Sequence, residues 1–227
     1  MVFFESAKIK RLPNYLLILC LVATIATSCT NGEEELIKLK ADAEKGRTTA
    51  QYSLARMYHK GNKIPRNYEK AMKWYQIVAN KGNYRAQYFV GNMYFRGHGV
   101  EKNYKEAKKW FLLSAKQGSK GSQHFLGFIY SDGLGVNKDL NKALKWYKLA
   151  AEQNDKKAQF FIGNIYYEGL GVSKDLVQAH LWFHLAGVNG NRKGVKLRGK
   201  VEQKLTSAQY DEAIKLFREW KPKMNKG

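Results

Sequence analysis

A tryptophan returns every 36 residues through the middle of this chain, at Trp74, Trp110, Trp146 and Trp182. Tyr58, Tyr94, Tyr130 and Tyr166 keep the same beat, as do Gly61, Gly97, Gly133, Gly169 and Ala71, Ala107, Ala143, Ala179. A fixed period between about 20 and 50 residues predicts a repeat array, in which each unit covers the apolar face of its neighbour. The beat constrains the architecture closely and the molecular task hardly at all.

Within a unit, a first helix carries its core at i, i+3, i+4, i+7 and i+8, one face of an α-helix. These are Ala50, Ser53, Leu54, Met57, Tyr58, then Ala86, Phe89, Val90, Met93, Tyr94, and so on. Gly97-His98-Gly99-Val100, Gly133-Leu134-Gly135-Val136 and Gly169-Leu170-Gly171-Val172 break that helix, the first glycine suiting a left-handed cap. Asn67, Asn103, Asp139 and Asp175 stand where an N-cap would start a second helix. The second helix repeats Ala71, Trp74, Tyr75, Val78, Ala79 and its equivalents, so that alanines allow close crossing and the aromatics fill the space between helices. On this reading the tryptophan ladder is core, and the hairpins stack into a superhelix.

The pattern Leu-Gly-x-x-Tyr-x-x-Gly-x-Gly-Val-x-x-Asp-x-x-x-Ala-x-x-Trp-Tyr resembles the Sel1-like repeat, a relative of tetratricopeptide arrays, with 127–147 and 163–183 the closest matches. The resemblance implies an all-α, right-handed α-solenoid of four helix-turn-helix units over 47–190. The first unit departs: Ala55 replaces a glycine, and Lys63 in Gly61-Asn62-Lys63-Ile64-Pro65 suggests a differently shaped turn. Residues 30–46 read as a tether and a short capping helix over Leu36–Lys45, and 191–220 as two C-terminal capping helices, Asn191–Leu205 and Ala208–Trp220. A basic tail, 221–227, follows.

At the other end, Lys8, Lys10 and Arg11 precede an apolar run, Leu16 to Ala26, shorter than the roughly 20 residues a spanning helix needs. Ala26-Thr27-Ser28-Cys29 then resembles a bacterial lipobox, which implies a signal peptide over 1–29 and a lipidated (palmitate-bearing) Cys29; cleavage after Ser28 without lipid is the rival reading. Thr30 is not the aspartate that resembles an inner-membrane retention signal, so the expected place is the outer membrane within the cell envelope, or a secreted form. The only other cysteine, Cys20, lies in the apolar run, so the processed chain could form no internal disulfide. With 40 basic and 19 acidic residues the chain is strongly basic, and its balance without Lys8, Lys10, Arg11 and Glu5 is still +19. That favours anionic lipid, an anionic envelope polymer or an acidic protein; the export signal argues against nucleic acid. A lysine-rich solvated surface is the bland alternative.

Candidate chemistry is thin. His180 and His184 are i, i+4, but Leu181 stands where a His-Glu-x-x-His motif needs its glutamate, and no third ligand is evident. Two partly exposed histidines are therefore expected rather than a metal site. The Gly-x-Gly turns follow helices and lack Gly-Lys-Ser/Thr, which excludes a phosphate cradle. Some cysteine-rich relatives are linked to β-lactam hydrolysis, yet their paired cysteines and Ser-x-x-Lys are missing here. No cofactor and no catalytic residue is expected.

What remains is a second stripe on the first helices. The resemblance implies that this stripe lines a concave, partner-binding surface: Gln51, Gln87, Gln123, Gln159; Tyr52, Tyr88, His124, Phe160; Arg56, Asn92, Phe128, Asn164; and His59, Phe95, Ser131, Tyr167. Amides can pair with a peptide backbone while aromatics add contact area. Alternatively the glutamines bond between units, and the aromatics pack there. The expected function is an envelope-anchored adaptor that binds a protein or peptide. Binding of an anionic lipid or polysaccharide is the alternative, and hydrolysis of peptidoglycan or a β-lactam a remoter one.

Overall fold

The structure, a computed structural model, describes residues 34–220, so the expected signal peptide, Cys29 and the basic tail lie outside the described residues. Among the described residues there are only helices: α1 (34–44), α2 (Thr48–Lys60), α3 (Tyr68–Asn80), α4 (Tyr84–Arg96), α5 (Tyr104–Lys116), α6 (Lys120–Asp132), α7 (Leu140–Ala151), α8 (Lys156–Glu168), α9 (Leu176–Val188), α10 (Arg192–Glu202) and α11 (Ser207–Glu219). Each helix packs chiefly on those before and after it, the arrangement of an all-α helical solenoid; α11 turns back onto α9. No described helix is long and apolar enough to cross a membrane.

The hairpin turns form as their residues dictate. Gly97, Gly133 and Gly169 end the first helices in the left-handed region, φ 73, 70 and 72°, and their N–H groups donate to Met93, Ile129 and Ile165 carbonyls. Asn67, Asn103, Asp139 and Asp175 then cap the second helices, each side chain accepting from the N–H three residues on. Their own N–H groups donate to the Tyr58, Tyr94, Tyr130 and Tyr166 carbonyls at 2.9 Å, which closes each turn. The first turn lacks the bond that the His98, Leu134 and Leu170 N–H groups make to the carbonyl five residues earlier, yet it bends the same way at its third residue. Lys63 takes φ 65°, matching Gly99 at 70° and Gly135 at 65°. A side chain at Gly99 would run into the Tyr68 backbone, 2.4 Å from an added Cβ. Lys63 instead faces α1 and pairs with Glu35 at 2.6 Å, so the position has room for a side chain that later units exclude.

The core is centred one residue beyond the tryptophans. Tyr75, Phe111, Tyr147 and Phe183 are fully buried. The first three stack on Phe89, Phe125 and Phe161 of the next hairpin, with centroids 4.8, 4.9 and 5.2 Å apart and planes within 9°. The expected tryptophan core is corrected accordingly: Trp74, Trp110 and Trp146 are half-buried at the rim, and only Trp182 is buried, beneath Trp220 of α11. Ser53, expected inside, is exposed. Gly91, Gly127 and Gly163 let these rings in; an added Cβ at Gly127 would sit 2.5 Å from Tyr147 Cδ1.

The ends differ from expectation by a few residues. The N-terminal helix runs over 34–44, and Gly46 follows in the left-handed region. Asn191 caps α10 rather than belonging to it, and α11 begins at Ser207 with a capping box between Thr206 and Gln209.

Gly127→Ala should therefore lower stability by about 1–3 kcal/mol through overpacking. Gly199→Ala, on α10 with nothing within 4 Å of an added Cβ, should raise it by about 0.5–1 kcal/mol through helix propensity. Urea unfolding followed by circular dichroism separates the two.

Candidate functional site: the face of the first helices

The four glutamines are frame, not surface. Gln51, Gln87, Gln123 and Gln159 are at most 5% exposed. Each Nε2 donates to the carbonyl eight residues earlier, on Ala43, Ala79, Ala115 or Ala151, at 3.0 to 3.4 Å. Each Oε1 accepts from a side chain 30 residues later, Lys81 Nζ, Gln117 Nε2, Gln153 Nε2 or Asn189 Nδ2, at 2.8 to 3.0 Å. A carbonyl near a helix C-terminus, already accepting the turn N–H of Gly46, Gly82, Gly118 or Asn154, thus gains a second donor from the next first helix, and the amide is spent on this join. Partner contact is withdrawn for these four. Residues 81, 117, 153 and 189 complete the ladder; their own 36-residue spacing was a signal in the sequence, obscured because lysine stands in for an amide at the first.

The next row, Tyr52, Tyr88, His124 and Phe160, is half-buried. Tyr52 meets Tyr75 edge-on at 5.8 Å and Phe89 at 6.3 Å; Tyr88 lies between Phe111 and Phe125, and His124 between Tyr147 and Phe161. Phe160 is 5.8 Å from Phe183. These rings close the seam between hairpins and keep one edge toward solvent. Burial raises the Tyr52 phenol above its ordinary value, with Arg56 and Arg85 opposing, and raises Tyr75 further, so both hydroxyls stay protonated donors.

Beyond the seam stand Arg56, exposed, and Asn92, Phe128 and Asn164, partly buried. Phe128 touches Phe95 at 6.0 Å and Phe161 at 6.5 Å. In the last row Phe95 is the most committed to packing, against Tyr104, Phe111, Phe125 and Phe128. His59 packs on Tyr68, Tyr75 and Phe89; Ser131 donates to the Phe128 carbonyl; the Tyr167 hydroxyl accepts from Lys204 Nζ at 2.7 Å. One further row escaped the sequence reading. Lys60, Arg96, Asp132 and Glu168 are all exposed, at the last turns of successive first helices, and their sign reverses halfway along the array. Arg56 and Arg85 lie at the basic end.

Of the histidine pair only His184 is partly exposed as expected. His180 is fully buried and within 2.9 Å of Glu202, while His184 stacks on Phe217 at 3.8 Å. Both belong to the joint between the last hairpin and the C-terminal helices. Among the described residues no group of three His, Cys, Asp or Glu could hold a metal ion.

Four segments, 48–83, 85–119, 121–155 and 156–191, match the profile described as the Sel1 repeat. A solved protective antigen present in uropathogenic Escherichia coli strains, displaying an SLR fold, is similar at 40% identity and TM-score 0.74. The match covers 80% of this chain, which spans only 39% of that protein. A Sel1 repeat protein from Oxalobacter formigenes is similar at 26% identity and TM-score 0.67, over 83% of this chain and 84% of that one. No curated protein matches the chain.

Gln159→Ala should cost about 1–2 kcal/mol, because it removes two hydrogen bonds from a buried joint while the Ala151 carbonyl keeps the Asn154 N–H and the Asn189 amide keeps the Leu185 carbonyl; thermal unfolding measures it. Desolvation, then nearby positive groups, hold both His59 and His184 below the ordinary histidine value. The unfolded chain therefore binds more protons as pH falls below about 6.5, and stability falls with it. Melting at about pH 5.5 should lie below that at about pH 7.5, and the gap should narrow in a His59→Phe/His184→Phe variant.

Proposed function

Since the chain belongs to the Sel1 repeat family, whose repeats generally mediate protein–protein interaction and whose scaffold is typically non-catalytic, we propose that it is a binding adaptor working through the first-helix face. The observation that carries this reading is the charged row at Lys60, Arg96, Asp132 and Glu168, which runs beside Arg56 and Phe128. The four charged side chains and Arg56 are exposed, unlike the glutamines below them, while Phe128 is partly buried between Phe95 and Phe161. Repeat arrays offer such faces as extended concave surfaces. Its polarity suits a protein segment with acidic residues toward the first two hairpins and basic residues toward the last two. A uniformly anionic polysaccharide would meet Asp132 and Glu168 with like charge, which disfavours it along this face.

We further propose that the adaptor is held at the cell envelope through a lipidated Cys29, which keeps its partner near the membrane. The cysteine directly after Ala26-Thr27-Ser28 supports the anchor.

Crosslinking in envelope preparations should capture a protein that an Arg56→Glu/Arg96→Glu variant loses, with its melting temperature held near that of the unaltered chain. Phe95→Ala is a poor probe, because losing four ring contacts should itself cost about 3 kcal/mol or more. Capture unchanged by the two substitutions would place the partner elsewhere. Separately, Cys29→Ser should abolish incorporation of a labelled fatty acid and release the chain from membranes; an unlabelled native product would remove the anchor.

A further inference from the structure

The fourth hairpin shows what the outer face of the second helices can hold. On α9, Trp182 and Leu185 are each 5% exposed, because α11 lies against them. Trp220 meets Trp182 edge-on at 4.9 Å, and Leu216 and Phe217 join the same apolar cluster. α11 is an amphipathic helix seated on a tryptophan–aliphatic stripe.

That stripe recurs uncovered on the three preceding second helices. Leu149, Leu113 and Ile77, 36 residues apart and in register with Leu185, are 43, 46 and 41% exposed. Trp146, Trp110 and Trp74 lie half-buried beside them. One flanking position changes its chemistry: where α9 has the buried Leu181, the earlier helices carry Lys145, Lys109 and Lys73, all exposed, with Lys109 also reaching Glu106 on its own helix.

We propose that the outer face of α3, α5 and α7 docks an amphipathic helix of a partner protein, one whose apolar stripe is flanked by carboxylates. The surface is separate from the first-helix face, so the proposal does not rest on the adaptor reading above. Two observations select the occupant. The seat repeats, in register, one that a helix already fills in this same chain, and the lysines that replace Leu181 ask for acidic neighbours. A lipid surface fits less well. The aliphatic side chains are only about half exposed, and a helix can bring its own side chains down to them as α11 does.

The probe is a peptide with the sequence of residues 207–220 carrying Lys215→Glu and Arg218→Glu, labelled and titrated into the full chain while fluorescence anisotropy is read. Saturable binding is expected. It should weaken roughly tenfold or more in an Ile77→Ser/Leu113→Ser/Leu149→Ser variant, and roughly tenfold in a Lys73→Glu/Lys109→Glu/Lys145→Glu variant. Circular dichroism checks that both fold; if the serine variant does not, the lysine variant, altered only at exposed positions, decides. Absence of saturation up to about 1 mM would overturn the proposal. So would equal binding to both variants, which would put the peptide on α9 in place of α11. Phosphatidylglycerol vesicles that bind the unaltered chain and release the lysine variant, in the absence of peptide binding, would make this face a membrane surface instead.

Discussion

Every joint in this array turns on one ring against another. The aromatic residue that follows each tryptophan, Tyr75, Phe111 or Tyr147, lies flat on a phenylalanine of the next hairpin, and in the later hairpins a glycine of its own first helix makes room behind it. A parallel-displaced ring pair fixes both the distance and the tilt between neighbours, because sliding either ring loses contact area on both faces. The buried glutamine adds direction to that contact. It ties a main-chain carbonyl at the end of one hairpin to the next first helix, and the following hairpin supplies the group that satisfies its oxygen. Packing and hydrogen bonding therefore repeat in phase, which is how an array with no long-range core keeps one geometry.

That economy leaves the two sides of the array with different freedoms. On the first-helix side, the residues nearest the seam are consumed by it, and only those a turn farther out can vary without loosening the stack. Charge does vary there, from Lys60 and Arg96 to Asp132 and Glu168. On the second-helix side, the half-buried tryptophans leave an apolar strip that α11 covers in the last hairpin alone. The C-terminal helices act as a cap in the energetic sense: the final second helix would otherwise expose Trp182, Leu185 and the stacked His184.

How much of this could be read beforehand depended on whether a residue's role was local. Caps and turns were legible because a side chain and the backbone three residues on decide them; Asn103 and Asp139 do what their chemistry requires. The tryptophans misled, since a large apolar residue on the beat looks like a core centre, and only the crossing of helices shows that its neighbour holds that place. The glutamines misled for a related reason. An amide at helical spacing fits a solvent-facing groove or a buried bond equally well until its partner, 30 residues away, is placed beside it.

The amino-acid sequence on its own determined the period, the helix pairs, their caps and the number of hairpins, because each follows from spacing and short-range bonding. The tertiary structure alone decided which side chains are structure and which are surface. Burial of Gln123, the partial burial of Phe128 and the covering of Trp182 depend on contacts between segments far apart in the chain, and periodicity gives every residue of a row the same standing until those contacts tell them apart.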